Sequence, residues 1–250
     1  MKITIYYSVN MGMCVALPGH NVWVDAFPDY KTPSFSKMTD DEWEHMKRVK
    51  AVRPTEIIHT HCHPDHFSLE RAEECAVLFP DAVFISPVSP VQSRETGLVV
   101  TPDQLPGIHV SGEEYTYTAG AGFSIRFVKT QHSSPRFANV PHYSIFIRCE
   151  GRSIFISGDA RIHEDNFEGL FDSAGTDLAI LNFPWASVSK GRELVKNVIR
   201  PKHVLLVHIP NAEDNVDHYR EIAEGSADSL DVSDVKLALT PYTEFSYDLS

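Results

Sequence analysis

The chain has 250 residues, 42% of them hydrophobic, enough to build a sizeable core, and no linker or low-complexity tract divides it, so one domain over 1–250 is expected. A formal charge of −12 argues against broad binding to nucleic acid or anionic membranes, which requires a positive surface. No apolar run approaches membrane-spanning length and the first residues lack the continuous apolar stretch of a signal peptide, so a soluble, cytoplasmic protein is expected.

In chain order, KITIYYSV, MCVAL and NVWVDAF read as three short strands, with the turn PGHN between the last two. TDDEWEHMKRVKAV reads as a helix, because Thr39 and Glu42 have capping-box spacing and acidic residues crowd its first turn. The buried strand TEIIHT runs into a histidine-rich stretch, SLERAEECAVLF follows as a second helix, and AVFIS as another strand. Residues 107 to 157 are mostly β, in GIHVS, EEYTYT, FSIRFVKT and HYSIFIRCEGRSIFIS, the last broken by a hairpin turn at Glu150 and Gly151. Helix and strand then alternate: DLAILNF as strand, GRELVKNVI as helix, KHVLLVHI as strand and AEDNVDHYREIAEG as helix. One domain of mixed sheets with outer helices is the economical arrangement.

The chemistry concentrates in IIHTHCHPDHFSLE, which places four histidines within eight positions at the end of an apolar run. His is neither a strong strand former nor a comfortable core residue, so packing gives no reason for the crowding, whereas a metal site does. In a loop leaving a strand, His61 and His63 turn the same way and offer two ring nitrogens to one ion. Asp65 and His66, where the chain bends into the next helix, reach a second ion. These half-sites need further ligands from elsewhere. Three strand ends supply them: His132 in TQHSSP, Asp159 in SGDA and His208 closing KHVLLVH. Isolated histidines are more often surface or hydrogen-bonded residues than ligands, and His20, His45, His109, His203 and His218 are read so. Cys62, between two ligands, is expected to point away from them and pack, and His59 to lie outside the shell. Cys14, Cys62, Cys75 and Cys149 fall at wide, irregular spacings and are expected as reduced thiols.

The set resembles the metallo-β-lactamase superfamily, through VDAF, THCHPDH, QHSS, SGDA and LLVH, from the first strands to near residue 210. The resemblance implies an α+β fold, an αβ/βα four-layer sandwich of two mixed β-sheets with helices on the outer faces and metals at one edge. It implies His61, His63 and His132 on a first ion, Asp65, His66 and His208 on a second, and Asp159 bridging them. Asp25 resembles the family's structural Asp, which supports the metal loop through hydrogen bonds. Within the superfamily, QHSSPRFANVPHYSIFIRCEGRSIFISGDA and PKHVLLVHIP are most similar to the ascorbate-6-phosphate lactonase-like branch. SVNMGMC replaces the strand turn containing Gly-His that this branch carries.

Two divalent ions sharing one water depress its pKa toward neutrality and polarise a scissile carbonyl or phosphoryl oxygen, so hydrolysis by a metal-bridging hydroxide is the expected chemistry. The substrate expected is a small, anionic ester, lactone or phosphoester. Asp65, His142 and His163 are candidates to protonate the leaving group, and Arg136, Lys190 and Arg192 to hold an anionic group. Zn2+ is the first choice of metal, with Mn2+ or Fe2+ also suited to a His and Asp shell. Two other activities fit the same ligands: an iron-dependent, dioxygenase-like oxidoreductase, and a nuclease, which the acidic balance disfavours. The second His of H-x-H-x-D-H argues against the flavin-linked di-iron type, which typically has Glu there. The sequence leaves the oligomeric state open, a homodimer included.

Overall fold

Strand alternation and strand continuity divide the sheets into outer and central parts. In β1 (Lys2–Tyr7) every second side chain, Ile3, Ile5 and Tyr7, is buried, whereas β13 (Thr176–Asn182) is buried along its whole length, as a central strand covered on both faces must be. The computed structural model describes residues 1–29, 31–32, 34–48, 52–87, 91–92, 99–100 and 107–250.

The first sheet contains β1, β2 (Met13–Leu17), β3 (His20–Val24), β4 (Glu56–Ile58), β5 (Val83–Pro87), β8 (Ile108–Val110) and β16 (Glu244–Asp248), in the order β16-β1-β2-β3-β4-β5-β8. Pairing is antiparallel from β16 to β3 and parallel from β3 to β8. The second sheet is its counterpart: β9 (Glu114–Thr118), β10 (Phe123–Thr130), β11 (His142–Cys149), β12 (Arg152–Ile156), β13, β14 (Pro201–Val207) and β15 (Asp234–Leu237), in the order β15-β14-β13-β12-β11-β10-β9. Its β12 to β15 half is parallel and its β9 to β12 half antiparallel. Short β6 (Val91–Gln92) and β7 (Val99–Val100) pair with each other.

The inner faces meet in one apolar cluster, including Ile5, Val15, Val22 and Ile58 from the first sheet and Ile125, Ile145, Ile180 and Leu205 from the second. A second cluster lies outside the first sheet, where Trp43 and Met46 of α1 (Asp40–Arg48) and Ala72 and Cys75 of α2 (Leu69–Leu78) cover Trp23 and Ile57. A third buries Trp185 of α3 (Pro184–Ser187), Leu194 of α4 (Ser189–Leu194) and Ala223 of α5 (Tyr219–Ala227) against Phe155, Ala179 and Leu206. The result is the four-layer αβ/βα sandwich that the sequence implied.

Most elements fall where the sequence places them, and the departures have local causes. Thr39 and Glu42 close the capping box in both directions, Thr39 N–H to Glu42 Oε2 at 2.6 Å and Glu42 N–H to Thr39 Oγ1 at 3.2 Å, and α1 runs to Arg48. Its expected continuation over 49–51 lies outside the described residues. The hairpin after β11 turns through left-handed Glu150 and Gly151 (φ 48° and 77°) as expected. The strand expected to reach Phe27 stops at Val24, because Asp25 takes a left-handed conformation (φ 46°) that turns the chain out of the sheet. The last helix begins at Tyr219 and not at Ala212, since left-handed His218 (φ 57°) separates it from a short 3₁₀ turn over Ala212–Asp214. The helix that opens as α4 passes into a π turn over Val195–Ile199 and ends at left-handed Arg200.

The two C-terminal strands were not expected. β16 completes the first sheet by pairing with β1 from Lys2↔Asp248 to Tyr6↔Glu244, and its Phe245 and Tyr247 enter the central core. Phe245→Ala should therefore lower stability by about 3 kcal/mol, as for a core phenyl group elsewhere. Urea denaturation checks this, and an unchanged midpoint would show that β16 carries no core load.

Candidate metal centre

The ligand-bearing segments leave the strands at one edge, each just past a C-terminal strand end. Asp25 follows β3, the 59–66 loop follows β4, His132 follows β10, Asp159 follows β12 and His208 follows β14. Backbone hydrogen bonds tie these exits together. Asp25 N–H donates to Ile58 O and Tyr143 N–H to Thr60 O, the second joining the metal loop to the opposite sheet. Ser133 N–H to Asp159 O and Arg161 N–H to Gln131 O, both 2.7 Å, fasten the His132 and Asp159 exits side by side.

Asp25, buried and wholly enclosed, sets the protonation pattern of the loop. Its Oδ1 accepts Thr60 N–H at 2.8 Å, and its Oδ2 accepts Thr60 Oγ1–H at 2.7 Å and His66 Nδ1–H at 2.9 Å. Thr60 has then spent its one proton on Asp25, so its Oγ1, 3.0 Å from His61 Nδ1, accepts a hydrogen bond from the Nδ1–H of that ring. Both His61 and His66 are thereby held with Nδ1 as donor and Nε2 turned inward, the tautomer a metal ligand requires.

The inward nitrogens face one another and two carboxylates. His61 Nε2 is 3.0 Å from His63 Nδ1, and His66 Nε2 is 3.1 Å from His208 Nε2. Lone pairs do not converge at such distances unless a proton or a cation lies between them. Asp159 looks toward both halves: its Oδ2 is 3.5 Å from His66 Nε2 and 3.6 Å from His132 Nε2, and its Oδ1 is 3.6 Å from His208 Nε2. Asp65 Oδ2 lies 3.8 Å from His208 Nε2. Donor atoms of His61, His63 and His132 fall within 4.8 Å of one another, as do those of His61, His66 and Asp159, and of Asp65, His66 and His208. Buried His132 Nε2 has no hydrogen-bond partner, and His132 Nδ1 faces Ser134 N–H at 3.1 Å and Ser133 Oγ at 3.5 Å. Ser134 N–H donates to Nδ1, so that nitrogen acts as an acceptor and the unpartnered Nε2 is the one turned to the cluster. These nitrogen and oxygen donors suit a divalent cation, and all seven residues named from the sequence meet here.

Burial, reinforced by neighbouring imidazoles, holds His61 well below its ordinary pKa and brings His63 down to about 4; burial also lowers His132 and His208. These rings are neutral near pH 7, ready to ligate. His66 is the exception: burial opposes its protonation, but Asp159 and Asp25 outweigh burial and hold its pKa well above normal. Asp159 in turn is held well below the carboxylate range, because His208 and His66 outweigh the burial that opposes its ionisation.

The remaining candidates are placed as follows. His142 is buried beside His61, with ring centroids 5.0 Å apart. Ser144 Oγ–H donates to Ser157 O, so Ser144 accepts from Thr130 Oγ1–H, which accepts from His142 Nδ1–H at 2.8 Å. Its Nε2 is left bare and unpartnered, and burial lowers its pKa to about 3. His163 caps a 3₁₀ turn by accepting Asp165 N–H and is substantially exposed. Arg136 is exposed with its guanidinium 5.8 Å from the Phe137 ring, which packs on His63 and His132 at 4.4 and 5.2 Å between centroids. Lys190 is paired with Glu164 at 2.8 Å, and Arg192 donates to Ala186 O and Ser187 O. Cys62 turns away toward Pro87 O, and His59 binds Ser86 Oγ outside the shell. All four cysteines are free and buried. His20 and His203 pair with Glu56 and Asp234. Sequence reasoning missed Thr60, whose signal is a hydroxyl at a buried strand end next to a ligand, and also missed Phe137, Asn182 and Asn10. Asn182 Nδ2–H reaches Asp159 Oδ1 at 3.4 Å.

Fold and cluster together define a metal-dependent hydrolase built on the αβ/βα sandwich. The family model described as the beta-lactamase superfamily domain matches residues 20–209, and the chain belongs to that superfamily. A search of the curated proteins finds no match. Among solved structures, a metallo hydrolase from the hyperthermophilic archaeon Ignicoccus hospitalis is 18% identical with a TM-score of 0.61, over 99% of each chain. A diphosphatase from the PhnP family is 14% identical with a TM-score of 0.57, over 99% of this chain and 98% of that one. CmlA, a diiron β-hydroxylase from Streptomyces venezuelae, is 13% identical with a TM-score of 0.59, over 98% of this chain and 54% of that one. At these identities the likeness establishes the fold.

Two outcomes are expected. Asp25→Asn turns an amide N–H toward groups that themselves donate, and should weaken divalent metal binding on the order of 10- to 100-fold in chelator competition; unchanged affinity would show that Asp25 does not orient the ligands. Since His66 must lose its proton to ligate, affinity should rise with pH until pH passes the raised His66 pKa. Zinc added near neutrality to weakly buffered, metal-stripped protein should release about one proton from this group. Affinity independent of pH, with no proton released, contradicts the assignment.

Proposed function

We propose that the protein is a dinuclear metal-dependent hydrolase acting on a small, anionic ester, lactone or phosphoester. The observation that carries this reading is the pair of half-sites facing a shared carboxylate: Asp159 lies within 3.6 Å of His132, His66 and His208. In this reading His61, His63 and His132 hold one ion, Asp65, His66 and His208 the other, and Asp159 bridges them, with zinc the first choice and manganese or iron the alternatives. Such ions, when bound, supply a nucleophile from water at neutral pH and polarise the scissile oxygen.

The chain's own residues supply the rest. Asp25 and Thr60 orient two ligands, and Asn182 steadies Asp159. His142, neutral and bare at Nε2, has no proton to give there, and His163 is not among the clustered donors, so proton delivery is assigned to Asp65, which would take up the proton released by the attacking water and pass it to the leaving group. Lys190 and Arg192 have other partners, which leaves Arg136, above Phe137, as the group that receives the substrate's anionic part. The likeness of QHSS and the closing His motif to the ascorbate-6-phosphate lactonase-like branch supports a lactone or phosphorylated substrate. We place the protein in the cytoplasm, acting on small molecules and neither nucleic acid nor membrane; among the described residues no helix is long and apolar enough to cross a membrane.

A screen of enzyme loaded separately with zinc and manganese, against phosphodiesters, lactones, thioesters and β-lactams, should find turnover of at least one class without oxygen uptake. His63→Ala should abolish that turnover, and activity surviving in this variant would contradict the reading. Arg136→Ala should raise KM far more than it lowers kcat, by roughly tenfold if one charge-assisted hydrogen bond is lost.

A further inference from the structure

The tight turn between β1 and β2, reading Val9-Asn10-Met11-Gly12, presses on the supports of one half-site. Gly12 N–H closes it onto Val9 O at 2.7 Å, and a Cβ at Gly12 would stand 2.3 Å from Ser8 Oγ and 2.7 Å from Asp25 O, so only glycine fits. Asn10, fully buried, sits in a left-handed conformation (φ 56°). Its carbonyl oxygen accepts His208 N–H at 2.8 Å. Its side-chain Nδ2 faces two carbonyl oxygens, Ser36 O at 2.5 Å and Asp65 O at 3.5 Å. Because both neighbours are acceptors, the amide must present its N–H groups to them, which fixes its orientation and leaves Oδ1 buried without a partner. Ser36 Oγ carries the connection onward by accepting Asn211 N–H, three residues beyond His208. None of these bonds reaches His61, His63 or His132.

We propose that Asn10 is a positioning residue for the second half-site: it sets the separation between the Asp65 backbone and His208, and so tunes one metal equivalent and not the other. The loop that carries Asp65 and His66 and the β14 exit that carries His208 come from distant parts of the chain, His66 and His208 being 142 residues apart, and Asn10 holds them to each other at this end. A buried residue that bonds both backbones, Asp65 O through its side-chain amide and His208 N–H through its own carbonyl, fixes what the two strand exits alone leave adjustable. The inference rests on the dinuclear reading above.

The test uses the full chain, stripped of metal and titrated with zinc and, separately, manganese, with bound metal per chain measured after gel filtration. Asn10→Gly keeps the left-handed backbone and the carbonyl that accepts His208 N–H, and removes only the amide. It should bind one equivalent as the unaltered protein does and the other on the order of 10- to 100-fold more weakly. Asn10→Asp, which tolerates the same backbone conformation but has no N–H to donate, should show the same split and serves if the glycine variant does not fold. Two equivalents of undiminished affinity in either folded variant, or equal weakening of both, would overturn the role of Asn10. A single equivalent in the unaltered protein would overturn the dinuclear reading itself, and with it this inference.

Discussion

The candidate metal centre depends on one buried carboxylate, Asp25, which orients the donors from behind. Asp25 accepts three hydrogen bonds from two places in the loop, Thr60 and His66, and through Thr60 it also fixes His61. A buried charge is costly unless it is satisfied on every side, and here its satisfaction and the orientation of the ligands are one arrangement. The left-handed backbone at Asp25, where β3 ends, aims the carboxylate across to the neighbouring β4 exit.

The sandwich makes that arrangement possible by bringing distant segments to one edge. Ligands after β4 belong to the first sheet and those after β10, β12 and β14 to the second, and the central apolar cluster clamps the two sheets face to face. Strand register, set by packing along the strands, therefore sets donor spacing at their ends. Hydrogen bonds between the exits, from Tyr143 to Thr60 and from Ser133 to Asp159, remove the remaining freedom. The candidate metal-binding edge is the margin of the core.

Much of this was legible in the sequence, for a physical reason. Histidines in THCHPDH have no packing rationale, so their chemistry shows through, and strand-end His132, Asp159 and His208 complete a shell that the loop alone cannot close. Asp25 stood out only by resemblance. Asn10 carried no such signal, since a polar residue in a turn is ordinary until its partners are seen, and Thr60 offered only a hydroxyl at a buried strand end next to a ligand. The same holds for Lys190 and Arg192, whose charges are taken up by Glu164 and by helix carbonyls. Strands β15 and β16 escaped notice because each is short, and their partners lie far away in sequence: β16 pairs with the first strand of the chain. Where the last helix begins was set by left-handed His218, a backbone choice that hydrophobic periodicity does not encode.

The chain thus joins a net negative charge to a compact knot of imidazoles and two carboxylates, in which Asp159 and Asp25 raise the His66 pKa well above its ordinary value. The most direct measurement of this account is anomalous diffraction from crystals grown with zinc or manganese. Two peaks about 3.5–4 Å apart, one among His61, His63 and His132 and one among Asp65, His66 and His208, with Asp159 reaching both, are predicted. A single peak, or peaks outside these seven side chains, would contradict it.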